Sequence, residues 1–515
     1  MVFDQAYFNV NSSQMKFIFR IIIFASVVFI QCNKEKAQSK PNVLFIFADD
    51  MTYEAIGGLG HPIVKTPHID DLIENGTTYS HAYNMGGWHG AICVASRTML
   101  MSGRSIWRAK AIEERWGIKD SLSLIQTWPH LMASAGYDTY MTGKWHVRAN
   151  AKEVFDVAQN IRGGMPGHQY DFKKANDYLK NNEFDPKGWA EVMNPGYNRP
   201  LGEDDVSWSP TDSSFGGFWE GGIHWSEVIA NDAYDFLNSS KQSENPFFMY
   251  LAFNAPHDHR QAPQEYIDMY PLEEIEVPNN YLDLYPYKDS IGCRPSLRDE
   301  ALAPFPRTPY AIKTHLQEYY AIISHMDAQI GKICQALKES GQAENTYIIF
   351  TADHGLSVGH HGLLGKQNMY DHSMRVPFVI TGPDIPKGKV GESEIYLQDA
   401  MATALDIAGI EKPIYVDFKS LMSDAKGIDN SANRLEIVGY YEHNQRMIRK
   451  DGFKLIAYPR VPKLRLFDLA NDPLEMNDLS EDDSFAEIKE RLFHQLVISQ
   501  KEAGDFLELN WNDYL

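Results

Sequence analysis

Residues 43–48 read Val-Leu-Phe-Ile-Phe-Ala, an unbroken apolar run that stops abruptly at Asp49 and Asp50. A continuous run of strand-forming apolar residues predicts a strand buried on both faces, as in a parallel sheet. Residues 138–141, 247–253 and 347–351 have the same form, preceded by helix-like stretches over 122–134, 227–239 and 315–340. Strands alternating with helices predict an α/β fold, with a large central sheet, mostly parallel or mixed, flanked by helices on both faces. Residues 149–225 and 262–314 are rich in Gly, Pro, Asn, Asp and Trp with little periodicity. They read as long loops laid over the strand ends.

Towards the C-terminus the pattern changes. Residues 435–441 and 447–458 read as strands, the latter folded back at Lys450-Asp451-Gly452, and 464–469 adds another before the Asn471-Asp-Pro473 turn. Ser484-Phe-Ala-Glu487 has capping-box spacing, and Phe485, Ile488, Leu492 and Leu496 mark one helical face. The expectation is a smaller C-terminal subdomain over 426–515, an antiparallel sheet with a packed helix, following a catalytic domain over 41–425.

Residues 1–40 read as a targeting segment and tether. Lys16 and Arg20 flank an apolar run over 21–30 that is too short to span a bilayer comfortably, and Met15 is the expected initiator. Cys32 follows the run directly, the placement of a lipid-modified cysteine, although Gln31 is atypical before one. Export to the periplasm or cell surface is expected, with membrane attachment through a lipidated Cys32 left open. Cys293 and Cys334 are expected as buried thiols rather than a bridge, because a core this large needs no staple.

Composition is that of a globular protein, 43% hydrophobic and 12% aromatic. The net charge of −21 leaves no broad basic face and argues against a nucleic-acid binder. An anionic substrate would need a locally basic site, built from particular Lys, Arg and His residues around a cation.

The strand ends supply such a site. The four predicted strands run into Asp49-Asp50, Thr142-Gly-Lys144-Trp-His146, Asn254-Ala-Pro-His257 and Ala352-Asp353-His354-Gly355. Ligands of open α/β sheets bind at the carboxyl ends of strands, so these four ends describe one location. Two adjacent carboxylates after a buried strand are costly unless a cation matches them, and oxygen ligands favour calcium or magnesium over zinc. Asp353 and His354 would complete the shell. A single histidine is more often a core or surface residue than a catalyst. The joint placement of these groups is what singles them out.

The stretch Cys93-Val-Ala-Ser-Arg-Thr-Met-Leu-Met-Ser-Gly-Arg104 adds a thiol and two arginines. Alone, such a cysteine would be a small buried hydrophobe. Here Cys-x-Ala-Ser-Arg continued to Gly-Arg resembles the signature of type I, formylglycine-dependent sulfatases of the alkaline-phosphatase-like superfamily. The resemblance runs from about Pro41 to the C-terminal helix, through the Leu-Phe-Asp-Leu…Asn-Asp-Pro…Asn-Asp-Leu run.

The resemblance implies that Cys93 is oxidised to formylglycine, whose hydrate attacks sulfur, and that calcium is held by Asp49, Asp50, Asp353, His354 and the group derived from Cys93. It implies that Arg97 holds the hydrate, Arg104 braces the turn, and Lys144 and Lys366 bind sulfate. His146 would be the base that eliminates sulfate, and His257 the acid that protonates the departing alcohol. A sulfatase-maturating enzyme is an implied transient partner. Which type it is stays open, since Ala95 stands where many members have Pro.

Arg260, His89, His224 and His361, with His259, are further substrate-binding candidates. Trp88, Trp107, Trp219 and Trp225 are candidates for stacking on sugars, although aromatics in such numbers more often pack loops. The expected activity is hydrolysis of a sulfate ester on a carbohydrate, an oligo- or polysaccharide such as the algal polymer ulvan. Two rivals are a phosphodiesterase or phosphonate monoester hydrolase of the same superfold, and a non-catalytic glycan-binding protein.

Overall fold

The strand Asn42–Ala48 is buried along its whole length. It lies between two parallel neighbours, Phe247–Ala252 and Thr346–Ala352, so neither of its edges meets water. Asp138–Lys144 and Val157–Arg162 continue the parallel half beyond Phe247–Ala252. On the other side Phe378–Thr381 runs antiparallel to Thr346–Ala352, followed by Gly76–Tyr83 and its partners Arg375–Val376 and Lys389–Tyr396. The result is a mixed nine-stranded sheet in which all four strands expected from the sequence are adjacent. The computed structural model describes residues 40–165, 171–181 and 186–515, and Pro41–Leu515 is one compact unit. Met15, Lys16, Arg20 and Cys32 lie outside the described residues.

Three expectations of the large sheet and its helices need correction. The segment 149–225 is not wholly irregular, because Val157–Arg162 forms the edge strand of the sheet. An edge strand is half-exposed and shows no apolar run, and the pairing is broken by a register shift where Asn160 takes φ 46°. The helix expected over 122–134 is two, Ser121–Leu124 and Trp128–Ser134. Pro129 cannot donate to a continuing helix but fits the first turn of a new one. The helix expected from 315 starts earlier, as Pro309–Glu339, capped by Thr308, whose hydroxyl accepts from the Ala311 amide at 3.1 Å.

The C-terminal strands are Ile437–Tyr441, Gln445–Lys450, Phe453–Tyr458 and Lys463–Asp468, all antiparallel. Asp451 and Gly452 both have positive φ, 53° and 79°, as a two-residue type I′ hairpin requires. Gly86–Gly87 joins this sheet beside Tyr440 and Tyr441. A Cβ on Gly86 would sit 2.0 Å from the Tyr440 carbonyl oxygen, so only glycine allows this approach. The small sheet is thereby tied to the segment just ahead of Cys93. The expected capping box does not form: the Ser484 amide and hydroxyl both donate to Asp482, which caps the turn Asp483–Phe485, and the helix Ala486–Ala503 follows from Phe485 with no side-chain cap. Cys293 and Cys334 are both free thiols, Cys293 buried as expected and Cys334 only half-buried.

Candidate active site

Backbone shape brings the strand ends together. Asp50 has φ 65°, which turns the chain as it leaves the sheet, and its amide donates to Asp353 Oδ1 at 3.1 Å. Gly143 has φ 92°, and a Cβ there would lie 1.9 Å from the Ala252 carbonyl oxygen. This close approach delivers Lys144 Nζ to Asp49 Oδ2 in a fully buried ion pair. Lys366 Nζ reaches both carboxylate oxygens of Asp50, at 2.9 and 2.8 Å, and His354 Nε2 lies 3.0 Å from Asp50 Oδ1.

Cys93 stands in the first turn of the helix Ile92–Ser102, whose N-cap residue Ala91 offers no side-chain acceptor. The free amides and dipole of such a helix start favour negative charge. Arg97, one turn on, lies on the same face and is completely buried. It donates to Asp353 Oδ2 at 3.0 Å and to the Lys144 carbonyl at 2.7 Å, and lies 3.6 Å from Asp49. Arg104 donates to the Ser102 carbonyl and to Gln126, bracing the end of the same helix. His146 Nδ1 lies 3.4 Å from Cys93 Sγ. Burial would push the Cys93 thiol up, but Lys144, Lys366 and His146 outweigh it and hold the thiol well below its ordinary range.

Asp49, Asp50 and Asp353 are all fully buried. Burial and the Asp353 charge push Asp49 up despite Lys144, and burial pushes Asp50 up despite Lys366 and His354. Asp353 is held well below the carboxylate range, where His354, Arg97 and Lys144 overcome burial. Ligand atoms of Asp49, Cys93, Asp353 and His354 lie within 4.8 Å of one another, as do those of Asp49, Asp50 and His257. Asp49 Oδ1 is buried with no hydrogen-bond partner. An orphaned carboxylate oxygen converging with those of Asp50 and Asp353 fits a hard divalent cation.

A cavity of about 420 Å³ opens onto this cluster, lined by Cys93, His146, His257, Lys366 and two residues that sequence reasoning missed, Arg298 and Asp299. Arg298 forms ion pairs with both Asp258 and Asp299, and its Nη2 lies 3.3 Å from His257 Nε2. The His257 ring is fixed at its other side, where Nδ1 meets the Asp258 carbonyl at 2.5 Å. Burial, then Lys366, Lys144 and Arg298, hold His257 well below its ordinary pKa. Arg298 and Asp299 stand in the aperiodic segment 262–314, where no local pattern marks them.

A sequence model of the Sulfatase family matches residues 41–410, most of the chain. The chain belongs to the sulfatase family. A second model, for the C-terminal part of N-sulphoglucosamine sulphohydrolase, matches residues 359–502. The sulfatase is 29% identical to an arylsulfatase of Clostridium perfringens over 90% of this chain and 94% of that one. It is 25% identical to an ulvan-active sulfatase of Formosa agariphila (92% and 84% covered) and 24% identical to an N-acetylglucosamine-6-O-sulfatase of Bacteroides thetaiotaomicron (94% and 91%). A protein solved with its substrate D-glucosamine-2-N,6-O-disulfate shares the fold, with TM-score 0.64 and 21% identity over 91% of this chain and 99% of that one. The phosphonate monoester hydrolase of Agrobacterium radiobacter does too, with TM-score 0.66 and 20% identity (90% and 96% covered). The sulfatase is a sulfuric ester hydrolase of the alkaline-phosphatase-like fold.

The remaining candidates of this sulfatase are placed elsewhere. His224 caps the helix Trp225–Ser240: Nδ1 accepts from the Ser226 amide at 3.1 Å and Nε2 meets the Gln261 carbonyl at 3.0 Å, leaving no free nitrogen. Arg260 is buried with its guanidinium over the Tyr319 ring, and Nε bonds the Pro256 carbonyl. His361 is buried and stacked on Tyr370 at 3.9 Å. His259 is buried against Tyr197. None of these lines the cavity. His89 is half-buried and adjoins Gly90 and Ala91, which do. Trp107 packs on Tyr440, Trp219 on His224, Trp225 under Arg162, and Trp88 bonds Glu113, so all four are engaged in internal packing.

Proposed function

We propose that this sulfatase removes sulfate from a sulfated carbohydrate, using the hydrate of a formylglycine made from Cys93 and a calcium ion. One observation carries the reading: Cys93 stands at an uncapped helix start, 3.4 Å from His146, beside three buried carboxylates and two lysines. Asp49, Asp50, Asp353 and His354 would hold the ion, which when bound supplies Lewis-acid polarisation of oxygen. Arg97 stays charged between Asp353 and Asp49 and fixes the helix turn that carries the nucleophile. Lys144 and Lys366 supply the positive charge that meets the sulfate oxygens. His146 takes the proton from the hydrate hydroxyl as sulfate leaves, and His257 serves the departing alcohol.

Relatives named for ulvan and for N-acetylglucosamine-6-sulfate support a carbohydrate substrate. The apolar run over 21–30 behind Lys16 and Arg20 supports export to the periplasm or cell surface, where polysaccharides such as ulvan are met, and Cys32 is the residue that would carry a lipid if the protein is anchored. A transient sulfatase-maturating enzyme supplies the oxidation of Cys93. Mass spectrometry of the peptide containing Cys93 tests the nucleophile, and an unmodified thiol in fully active enzyme would overturn it. A panel of sulfated oligosaccharides, ulvan fragments among them, tests the substrate.

The shared fold with a phosphonate monoester hydrolase keeps a second reading in view. Rates on an aryl sulfate and on aryl phosphonate and phosphate esters separate the two, with the sulfate expected to be faster.

A further inference from the structure

We infer that Glu300 is a positioning residue for Lys366: with Arg307 it clamps the loop that presents the lysine, and so sets how well the sulfate is held. The inference rests on Lys366 being a sulfate-binding group.

A narrow loop runs from the end of the strand Thr346–Ala352 to Lys366. Its two arms are joined by amides of the first arm alone: Ser357, Val358 and Gly359 donate to the carbonyls of Gly365, Leu364 and Leu363, at 3.0, 3.3 and 2.8 Å. The Leu364 and Gly365 amides of the returning arm are left for another acceptor, and Glu300 supplies it. Its Oε1 and Oε2 accept from the Leu364 amide at 3.2 and 3.1 Å, and Oε1 accepts from the Gly365 amide at 2.9 Å. Glu300 and Arg307 form an ion pair with no exposed side-chain surface on either partner. Arg307 also donates to the carbonyls of Gly362 at 3.1 Å and Glu300 at 2.9 Å, so the pair grips both the tip and the returning arm of the loop. A Cβ on Gly365 would lie 2.8 Å from Asp299 Cβ and 3.2 Å from Glu300 Oε1, so glycine is what lets the loop come this close.

Glu300 touches neither the cavity nor the reacting groups, since the lining contributed by its segment ends at Asp299. What it fixes is the backbone immediately before Lys366, whose Nζ bonds both oxygens of Asp50 and lies 3.7 Å from Asp299. A lysine stem is flexible, so the place where its backbone starts decides where the ammonium can act. Bonds from amides to a carboxylate are about twice as strong as neutral ones. Buried amides that lose such an acceptor are costly, and the loop would shift to satisfy them elsewhere. A shift of about 1 Å in a group that meets the reacting centre costs on the order of a hundredfold in rate.

The test is a double-mutant cycle of Glu300→Gln and Lys366→Ala in the matured enzyme, read with an aryl sulfate. Glu300→Gln alone is expected to lower kcat/KM by about tenfold or more. In the Lys366→Ala background the same change is expected to cost less than about twofold, because the group it aims is gone. A merely structural role would cost the same in both backgrounds. That result, or an unchanged kcat/KM in Glu300→Gln alone, would overturn the inference. Calorimetric binding of inorganic sulfate to the same set of proteins gives the cycle a readout free of turnover, with the same pattern expected and the same outcomes against it. Should Glu300→Gln fail to fold, Glu300→Asp takes its place in the cycle, since it keeps the charge opposite Arg307 but withdraws the carboxylate from the two amides. Lys366→Ala with unchanged kcat/KM and sulfate affinity would refute the sulfate role of Lys366, and the inference with it. A damaging Lys366→Ala beside additive effects of Glu300→Gln would overturn the inference and leave that role standing.

Discussion

Cys93 Sγ faces His146 Nδ1 at 3.4 Å, although the two residues come from different elements, a helix start and the end of a strand. The contact places a titratable ring nitrogen beside the reacting group. His146 is only half-buried, so its removal should cost little stability. His146→Ala is expected to lower kcat by about 10²- to 10⁴-fold, the range for loss of an acid–base group. The thermal midpoint should stay near that of the parent. Steady-state kinetics and a melting curve on the same preparation check both halves.

Arg97 is a different case. Its guanidinium has no exposed surface and sits among Asp353, Asp49 and the Lys144 carbonyl. Removing one member of a buried ion-pair network leaves the others uncompensated, at about 3–5 kcal/mol. Arg97→Met is therefore expected to fall in urea stability by that amount, as well as losing activity. A variant of unchanged stability would show that the carboxylates are matched by something else.

Chelation reads the same carboxylates from the other side. A cation that binds only the folded protein adds about 2.7 kcal/mol when present at a hundred times its Kd. Treatment with a chelator is expected to abolish activity and lower the melting temperature, and added calcium to restore both. Asp353→Asn should blunt the calcium response, which a calcium titration of the melting temperature would measure.

The strand ends were legible in the sequence because burial on both faces forces an unbroken apolar run, and the chemistry begins where the run stops, as at Asp49 after residues 43–48 and at Asn254 after residues 247–253. The Val157–Arg162 edge strand and the polar Gly76–Tyr83 strand lacked that run, so only their hydrogen-bonded neighbours reveal them. Arg298 and Asp299 owe their place to a long loop folding back onto the site, which no local period encodes. His224 shows the opposite limit. The sequence identifies a histidine ahead of a helix, but not that both ring nitrogens are already spent on backbone groups.

That capping role makes His224 an acid-sensitive element. Burial lowers its pKa from 6.5 to about 4. The unfolded chain takes up the proton first, so the stability His224 contributes is fully present above pH 6.5 and is lost as pH falls from there to about 4. His224→Asn keeps an acceptor for the helix start and removes the titration. It gives up the Nε2 contact with the Gln261 carbonyl and is expected to be less stable than the parent near neutral pH, but to lose less on going to pH 5, the gap closing by up to about 1.4 kcal/mol per pH unit. Urea denaturation at the two pH values checks the sign.

Gly164 tests whether the position of His146, and not only its presence, sets the rate. A Cβ on Gly164 would lie 2.4 Å from His146 Cε1, so the imidazole must move to admit it. At neighbouring Gly163 the nearest atom to a Cβ is the Met165 carbonyl oxygen, at 4.0 Å. Displacing a reacting group by about 1 Å costs on the order of a hundredfold. Gly164→Ala is therefore expected to lower kcat by at least about tenfold with an unchanged melting temperature. Gly163→Ala should leave both as they are. Equal effects from the two would mean that the segment tolerates or rejects side chains for reasons unrelated to the ring, and that Gly164 does not aim His146 at Cys93.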